Sequence, residues 1–278
     1  MSDANMSSNG QQPILEAKEL IMQFGGLRAV NNFSLSLYPH DLQGLIGPNG
    51  AGKTTVFNMV TGVYTPTAGQ IQLLDDDITG LEPYEINQLG IARTFQNIRL
   101  FPNLTVLDNV RIAYHTHAGY GLLDGIMHNP KFGKNEKELT LQAQEFLSVF
   151  NLEDRQGEIA KNLPYGEQRR LEIARALAAE PKVLLLDEPA AGMNPAESNQ
   201  LMDLIHFIRE RFDLTILLIE HQMRVVMGIC ETISVMDFGE VIARGTPREI
   251  QTNPRVVEAY LGPGTAALTE KFRRKKEQ

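Results

Sequence analysis

LQGLIGPNGAGKTT, residues 42–55, carries more structural information than any other stretch of this sequence. Its apolar beginning, Leu42–Gly47, predicts a buried β-strand, and a helix is expected from about Gly52. Between them lies Gly-x-x-x-x-Gly-Lys-Thr, a pattern that in this context is typical of a phosphate-binding loop. The glycines let successive backbone N–H groups point inward, and the helix N-terminus adds its partial positive charge. The stretch therefore predicts that this turn binds phosphate groups.

The last residues of this P-loop predict which phosphates it binds. Lys53 is placed to reach β- and γ-phosphates, the Thr54 hydroxyl to coordinate Mg²⁺, and Thr55 to hydrogen-bond an α-phosphate oxygen. The alternatives are a glycine-rich turn without a ligand and a GTPase. No Asn-Lys-x-Asp sequence of the kind that reads guanine follows the loop, which favours ATP over GTP. The expected nucleotide contacts are Asn49, Gly50, Ala51, Gly52, Lys53, Thr54 and Thr55.

Two further apolar runs end in side chains suited to hydrolysis. Val183–Leu186 is followed by Asp187 and Glu188, and Thr215–Ile219 is followed two residues later by His221. Asp187 is suited to bind Mg²⁺ through a water molecule, and Glu188 is placed to polarise the attacking water. A lone histidine is more often structural. At the carboxyl end of a strand, where open α/β sheets bind ligands, His221 is nevertheless expected to contact the γ-phosphate.

The rest of the sequence predicts an α/β fold. Short apolar runs bounded by charges suit parallel strands that are covered on both faces, and helical patterns alternate with them. The stretch from about His115 to Asn135 is glycine-rich and weakly periodic, and we interpret it as an insertion. Residues 1–13 predict a disordered tail. Strand-like runs lie at 15–24 (LEAKELIMQF) and 33–38 (FSLSLY), and helical spacing occurs at 105–116, 136–151 and 166–179.

Composition excludes several classes of protein. Lys and Arg number 26 against 34 Asp and Glu, a formal net charge of -8 that argues against a nucleic-acid partner. The single cysteine, Cys230, allows no disulfide framework and fits a reducing compartment. The N-terminus has no basic segment followed by an apolar core, so no signal peptide is expected. The uncharged run Thr54–Leu74 is interrupted by Pro66, asparagine, glutamine and glycines, which argues against a membrane-spanning helix.

Residues 163–168 (LPYGEQ), followed by RRLEIARAL, resemble the signature motif of the ABC ATPases, which separates that family from other P-loop proteins. Phe95-Gln96 resembles the family's Q-loop, Ala190–Pro195 its D-loop and His221 its switch histidine, and Phe24 matches the aromatic position on which adenine stacks. The resemblance implies a P-loop NTPase of the ABC ATPase type. Such a fold has a RecA-like core, an antiparallel β subdomain and a helical subdomain. The domain would span residues 14–262, with the helical subdomain at about 91–181.

The resemblance also implies how the protein works. Two cassettes form a head-to-tail dimer, and each ATP lies on one subunit's P-loop and under the other subunit's signature motif. The signature contacts would come from Tyr165, Gly166 and Glu167. The metal site would combine Thr54, Gln96 and Asp187, and the catalytic residues would be Glu188 and His221.

A finer resemblance points to one branch of the family. FGGLRAVNN (24–32), ARTFQNIRLF (92–101), LDEPAAGMNP (186–195) and NPRVVEAYLG (253–262) are similar to the ATPase subunits of bacterial branched-chain amino acid importers. This implies two membrane-spanning permease subunits and a second ABC ATPase as partners, and a substrate-binding protein as an indirect one. It implies a peripheral position on the cytoplasmic face of the inner membrane. Urea or amide importers and the lipopolysaccharide-export ATPase share much of the pattern and stay open as alternatives, because no residue here reads the cargo.

Two positions depart from the family pattern. The signature motif usually has Ser where this chain has Pro164, and glycine where it has Tyr165. Pro164 lacks the hydroxyl that reaches the γ-phosphate, whereas the N–H groups of Tyr165 and Gly166 remain. Asn194 stands where the D-loop usually has Asp, which leaves open how the two nucleotide sites share hydrolysis.

Other functional classes explain the sequence less well. Soluble ABC proteins that act on ribosomes usually carry two cassettes, and those that repair DNA insert a long coiled coil; neither feature is visible. A regulatory cassette that does not hydrolyse ATP is disfavoured by Glu188 and His221. The tail 263–278 contains the basic run Lys271–Lys276. We interpret it as a flexible, solvated end rather than a membrane contact.

Overall fold

A computed structural model of the chain describes residues 11–114 and 130–262, with the backbone alone at 130–138. The predicted tails at 1–10 and 263–278 and most of the predicted insertion, 115–129, lie outside the described residues. The strands are β1 Leu15–Phe24, β2 Leu27–Leu37, β3 Leu42–Ile46, β4 Ala68–Leu73, β5 Asp76–Asp77, β6 Ile91–Arg93, β7 Val183–Asp187, β8 Thr215–Ile219, β9 Thr232–Asp237 and β10 Glu240–Gly245.

These strands form two sheets. β1, β2, β4 and β5 make an antiparallel sheet in the order β2-β1-β4-β5. The other six make a sheet in the order β10-β9-β3-β8-β7-β6, parallel except for the edge strand β10. In the parallel part, neighbours in space are far apart in sequence, which requires helical crossovers. The predicted α/β fold is confirmed.

Helices occupy the connections between these strands and the end of the described chain. They are α1 Lys53–Val60, α2 Pro83–Leu89, α3 Val106–Tyr114, α4 Pro130–Val149, α5 Tyr165–Leu177, α6 Pro195–Phe212, α7 Met223–Ile229, α8 Pro247–Thr252 and α9 Pro254–Leu261. The helical segment predicted at 136–151 begins earlier than expected, because α4 already starts at Pro130, inside the stretch interpreted as an insertion. Proline fits the first helical position, where its missing N–H leaves no helical hydrogen bond unmade.

The core lies on both faces of the six-stranded sheet. In β7, Leu184 and Leu186 pack on the side of helices α3 to α6. Val183 and Leu185 point to the opposite side, toward α1 and the antiparallel sheet. Side chains alternate between faces along a strand, so a strand buried on both faces must be apolar throughout. This is why the short apolar runs predicted strands so accurately.

No helix within residues 11–114 and 130–262 combines the length and the apolar character needed to cross a bilayer.

Candidate functional site

A cleft of about 470 Å³ lies at the carboxyl edge of the six-stranded sheet. β3, β8 and β7 are neighbours and parallel, so the segments that follow them meet at this edge. The cleft has a volume typical of a small-molecule site. Its lining residues are Ala29, Asn49, Gly50, Gly52, Lys53, Thr54, Thr55, Gln96, Glu188 and His221.

Two glycines of the loop between β3 and α1 have to be glycines. A Cβ on Gly47, at φ 150, would collide with the carbonyl oxygen of Met236 in β9. A Cβ on Gly52, at φ 102, would lie 2.6 Å from the carbonyl oxygen of Ala29. Both positions combine a left-handed backbone with a close approach to a neighbouring strand. The loop is therefore confined by one strand from each sheet, β9 and β2.

Lys53 lies inside this loop rather than in solvent. Its Nζ donates to the carbonyl oxygens of Gly47 at 2.7 Å and Pro48 at 2.9 Å. Burial lowers the pKa of Lys53, and the nearby carboxylates of Glu188 and Asp187 partly offset that effect. The ammonium group is thus fixed at the floor of the cleft, with two carboxylates close enough to act on its charge.

The first turn of α1 presents unused N–H groups to the cleft. The first four N–H groups of a helix have no partner within the helix. Gly52 precedes the helix, and no side chain in the described part of the chain caps it or places an acid in its first turn. Thr54 and Thr55 line the cleft beside these groups. The arrangement fits an anion such as a phosphate group.

Glu188 is held from two sides of the cleft. His221 Nε2 lies 2.6 Å from its Oε1, and Gln96 Nε2 donates to its Oε2 at 2.8 Å. Glu188 follows β7, His221 follows β8 and Gln96 follows β6. The sheet therefore brings Glu188 together with Gln96, 92 positions before it, and with His221, 33 positions after it. A carboxylate aimed at the cleft and fixed by two partners is suited to orient a water molecule.

Asp187 does not line the cleft. It is buried, and its Oδ2 pairs with Arg93 Nη2 at 2.6 Å. Arg93 is a residue that sequence reasoning missed. It ends β6 and also donates to Asn58 in α1 at 2.7 Å. Nothing local in the sequence marks it, because its role comes from the adjacency of β6 and β7.

Phe24 also lies outside the cleft lining. It ends β1, is 43% exposed, and meets the ring of Tyr64 edge-on at 5.3 Å between centroids. Gly25 follows at φ 57 and turns the chain into β2. Part of the Phe24 side chain is accessible to a ligand, and stacking on adenine stays a prediction.

The structure places the signature segment apart from the P-loop of the same chain. Pro164 precedes α5 with an extended backbone, and Tyr165, 46% exposed, is its first residue. Gly166 and Glu167 line a different cavity, of about 690 Å³, between α5 and α6. Of the predicted nucleotide contacts, Phe24, Ala51, Tyr165, Gly166 and Glu167 do not line the nucleotide cleft.

Glu220 is a second residue that sequence reasoning missed. It is buried, and its carboxylate accepts from the N–H groups of Ala190 at 2.8 Å, His221 at 2.8 Å and Gln222 at 3.0 Å. Three N–H donors satisfy the oxygens of this buried carboxyl group. Glu220 thus ties the segment after β7 to the segment that carries His221. Its position directly before His221 is the one feature of the sequence that could have marked Glu220 as part of the site.

Family models match the chain in two places. A model described as ABC transporter matches residues 30–191, and one described as branched-chain amino acid ATP-binding cassette transporter matches residues 240–262. The first covers the P-loop, the signature segment and Glu188. The second covers β10 and the two helices that follow it.

Curated relatives match nearly end to end. The high-affinity branched-chain amino acid transport ATP-binding protein LivG of Escherichia coli is 48% identical over 251 residues, 90% of this chain and 98% of its own. The lipopolysaccharide export system ATP-binding protein LptB of Escherichia coli is 36% identical over 248 residues, 89% of this chain and 97% of its own.

Solved structures share the fold. The ADP conformation of MJ1267, described as an ATP-binding cassette of an ABC transporter, superposes with a TM-score of 0.78 at 31% identity. It covers 90% of this chain and 99% of its own. A dimeric structure of the cassette MJ0796 bound to ADP and Pi has a TM-score of 0.70 at 25% identity, over 84% of this chain and 99% of its own. The chain therefore belongs to the ABC transporter family, as one of its ATP-binding proteins.

Proposed function

We propose that this chain is the ATP-hydrolysing subunit of a membrane importer for branched-chain amino acids. The observation that carries the hydrolytic part is the Glu188 carboxylate, held by Gln96 and His221 above the P-loop cleft. A non-hydrolysing cassette would have no use for a carboxylate fixed in this way.

ATP and Mg²⁺ are the proposed cofactors. The open N–H groups of α1, the fixed ammonium of Lys53 and the exposed ring of Phe24 fit a triphosphate and its base. The described residues hold no cluster of three or more His, Cys, Asp or Glu that would bind a metal alone. Mg²⁺ commonly takes one or two protein ligands and completes its shell with phosphates and water. Thr54 and Gln96, which line the cleft, are proposed to serve it directly, and Asp187, which is buried and paired with Arg93, is proposed to act on it only through water.

Glu188 acts in this proposal as the group that orients and polarises water. Its carboxylate faces the cleft and lies within hydrogen-bond reach of His221. His221 would support a γ-phosphate contact from the neighbouring strand end. The backbone N–H groups of the P-loop would neutralise charge on the phosphates without moving.

A second ATPase chain is proposed as a partner. Tyr165, Gly166 and Glu167 do not reach their own chain's cleft, so they would serve a nucleotide bound by another cassette. The dimeric structure of MJ0796 supports this arrangement. Two permease subunits would supply the membrane span, and a substrate-binding protein would act through them. The working domain would be residues 14–262, peripheral to the cytoplasmic face of the membrane.

The substrate assignment depends on the similarity to LivG and on the second family match at residues 240–262. The alternatives are a urea or amide importer and a lipopolysaccharide exporter, the second supported by the lower identity to LptB. The test is to purify the chain with its membrane subunits, reconstitute them in vesicles and measure ATP-driven uptake of leucine and of urea. Leucine uptake that stops in Glu188→Gln supports the proposal. Urea uptake, or extraction of lipopolysaccharide without leucine uptake, contradicts it.

A further inference from the structure

Arg169 and Glu172 of α5 form a buried ion pair outside the lining of the P-loop cleft. They lie three positions apart on α5, so their side chains share one face of the helix. Arg169 Nη1 lies 2.7 Å from Glu172 Oε2, and the side chains are 0% and 1% exposed. Charged side chains are seldom buried this completely without a specific set of partners.

Arg169 holds two consecutive carbonyl groups of the Gln96 loop, residues 94–99. Its Nη1 donates to the carbonyl oxygen of Phe95 at 2.6 Å, and its Nη2 to that of Gln96 at 2.8 Å. Nη2 also lies 3.2 Å from the hydroxyl of Tyr165, at the start of α5. The planar guanidinium suits this geometry because its donors point in fixed, different directions.

Glu172 holds the same loop through its N–H groups. Its Oε1 accepts from the N–H of Arg99 at 3.0 Å and from that of Phe95 at 3.4 Å. Two side chains one turn apart on α5 thus bind four backbone groups of the Gln96 loop. A loop normally satisfies its backbone groups with water or with its own turns. Here they are satisfied by a helix more than 70 residues away in sequence.

The Gln96 loop and the start of α5, which this ion pair joins, are proposed to serve different nucleotide sites. At one end, the Gln96 side chain reaches Glu188 in the cleft of its own chain. At the other end, Tyr165 and Gly166 begin α5 and are proposed to serve the nucleotide of a second chain. Arg169 contacts the backbone of Gln96 and the side chain of Tyr165 at the same time.

We propose that Arg169 and Glu172 clamp the Gln96 loop to α5, so that one rigid unit links the two nucleotide sites of the dimer. This inference rests on the proposed function. Displacing Gln96 in one site then moves the signature residues that serve the other, because both are fixed to the same helix. Arg169 and Glu172 are positioning residues, and neither touches the nucleotide.

The first test measures the clamp without using activity. In the full chain, the double variant Arg169→Met with Glu172→Leu removes both charges together, which leaves no buried ion unpaired. Hydrogen exchange of the Phe95 and Arg99 amides should become at least about tenfold faster, because local opening no longer breaks these bonds. The matched control is Arg209→Met, which removes an arginine that is 14% exposed and pairs with Glu231 at 2.9 Å, away from the loop. This control should leave the hydrogen-exchange rates of the Phe95 and Arg99 amides unchanged.

The second test measures coupling between the sites. In the assembled transporter, the double variant should lower kcat about tenfold and reduce the ATP Hill coefficient to that of independent sites. ATP affinity of the isolated chain should stay within about twofold, since Lys53 and the P-loop are untouched. Arg169→Lys keeps the buried charge but cannot donate to both carbonyls and to Tyr165, and should give an intermediate Hill coefficient.

The outcomes separate the clamp from the proposed function. Unchanged exchange of the two amides overturns the clamp. Faster exchange with an unchanged Hill coefficient overturns the link between sites. A wild-type complex that does not hydrolyse ATP overturns the proposed function, and the link between two ATP sites with it, while the exchange experiment still decides whether α5 holds the loop.

Discussion

Glu188 sits in a backbone conformation that few non-glycine residues adopt. Its φ is 47, and it lies directly after the last residue of β7. Its N–H donates to the carbonyl oxygen of Ile219 at 2.8 Å, which holds this conformation in place. Unfavourable backbone angles persist where the surroundings enforce them, and they concentrate at functional sites. The turn aims the carboxylate into the cleft instead of along the strand.

Replacing Glu188 with glutamine should separate binding from hydrolysis. Glutamine keeps the shape and hydrogen-bonding capacity of the side chain but removes the charge that polarises water. We expect ATP affinity to be retained and steady-state turnover of the assembled transporter to fall by ~10²–10⁴. Glu153→Gln, a carboxylate-to-amide change at an exposed site, is the control. Near-normal turnover in Glu188→Gln would remove the assignment of Glu188 as the water-orienting group.

Pro164 and Gly166 set the backbone geometry of the signature segment, which lacks the family's usual serine. Pro164 precedes α5 with φ -53 and ψ 150, a geometry that proline already favours. A Cβ on Gly166 would meet nothing within 4 Å in this chain. The described part of this chain therefore leaves the space beside Gly166 open, and a second chain's nucleotide is proposed to occupy it.

Substitutions at these two positions should have very different effects. Pro164→Ser adds one hydroxyl donor, and a hydrogen bond to a charged group contributes at most roughly 1.5–3 kcal/mol. Because the N-terminus of α5 and the N–H groups of Tyr165 and Gly166 are proposed to make this contact already, we expect turnover to change by less than about tenfold. Gly166→Leu should fold normally, since the chain leaves room for it, but should abolish turnover by blocking backbone approach. ATP turnover of the assembled transporter and thermal unfolding of each variant provide the measurements. A rise of orders of magnitude in Pro164→Ser would mean that the natural site is a degenerate half-site.

At the scale of elements, α6 shows that Asn194 has a structural role. Its Oδ1 accepts from the N–H groups of Ala196 at 2.9 Å and Glu197 at 3.0 Å. Glu197 reaches back to the N–H of Asn194 at 2.9 Å, which completes a capping box. An aspartate, the usual residue of the D-loop, could make the same cap. The departure from the family pattern therefore leaves the start of α6 intact.

Asn194→Ala should lower the free energy of unfolding of the isolated chain by about 1 kcal/mol, because the cap is lost. Asn194→Asp should be within about 0.5 kcal/mol of wild type, since aspartate is an equally good cap. Urea denaturation of the three proteins measures both differences. A loss in Asn194→Asp as large as that in Asn194→Ala would show that the amide, not the cap, matters at this position.

The elements differ in how far the sequence could predict them. β7 and β8 were predicted with their bounds nearly right because burial on both faces demands an unbroken apolar run. The P-loop was predicted because its glycines are forced by local backbone geometry. The sequence did not predict the roles of three buried residues, because no local pattern records contacts between distant positions. Arg93 binds Asp187, 94 residues away, Arg169 binds Gln96, 73 residues away, and Glu220 binds Ala190, 30 residues away. Helix α4 was shortened in the prediction because its first turns carry weak periodicity.

On the scale of the whole molecule, the proposed function divides each nucleotide site between two chains. Its P-loop cleft holds the groups that bind and orient, and its signature segment lies at a different cavity of the same chain. A head-to-tail pair with two-fold symmetry would complete both sites at once, since each contact would occur twice. The isolated chain should accordingly be mainly monomeric and a poor ATPase. Its turnover per chain should rise with protein concentration and on assembly with the membrane subunits.

Mixing two inactive variants tests this shared site directly. Glu188→Gln destroys the site on its own P-loop, whereas Gly166→Leu destroys the site that its signature segment serves. In a mixed dimer both defects fall on one site, and the other site combines an intact Glu188 with an intact Gly166. Random pairing makes half of the dimers mixed, so turnover in complexes assembled from an equimolar mixture should recover to about a quarter of wild type if one intact site works at its full rate. Coupling between the two sites would lower this value but keep it well above that of either parent. Each variant assembled alone is the control. If the mixture is as inactive as its parents, each site is complete within one chain and the dimer model is wrong.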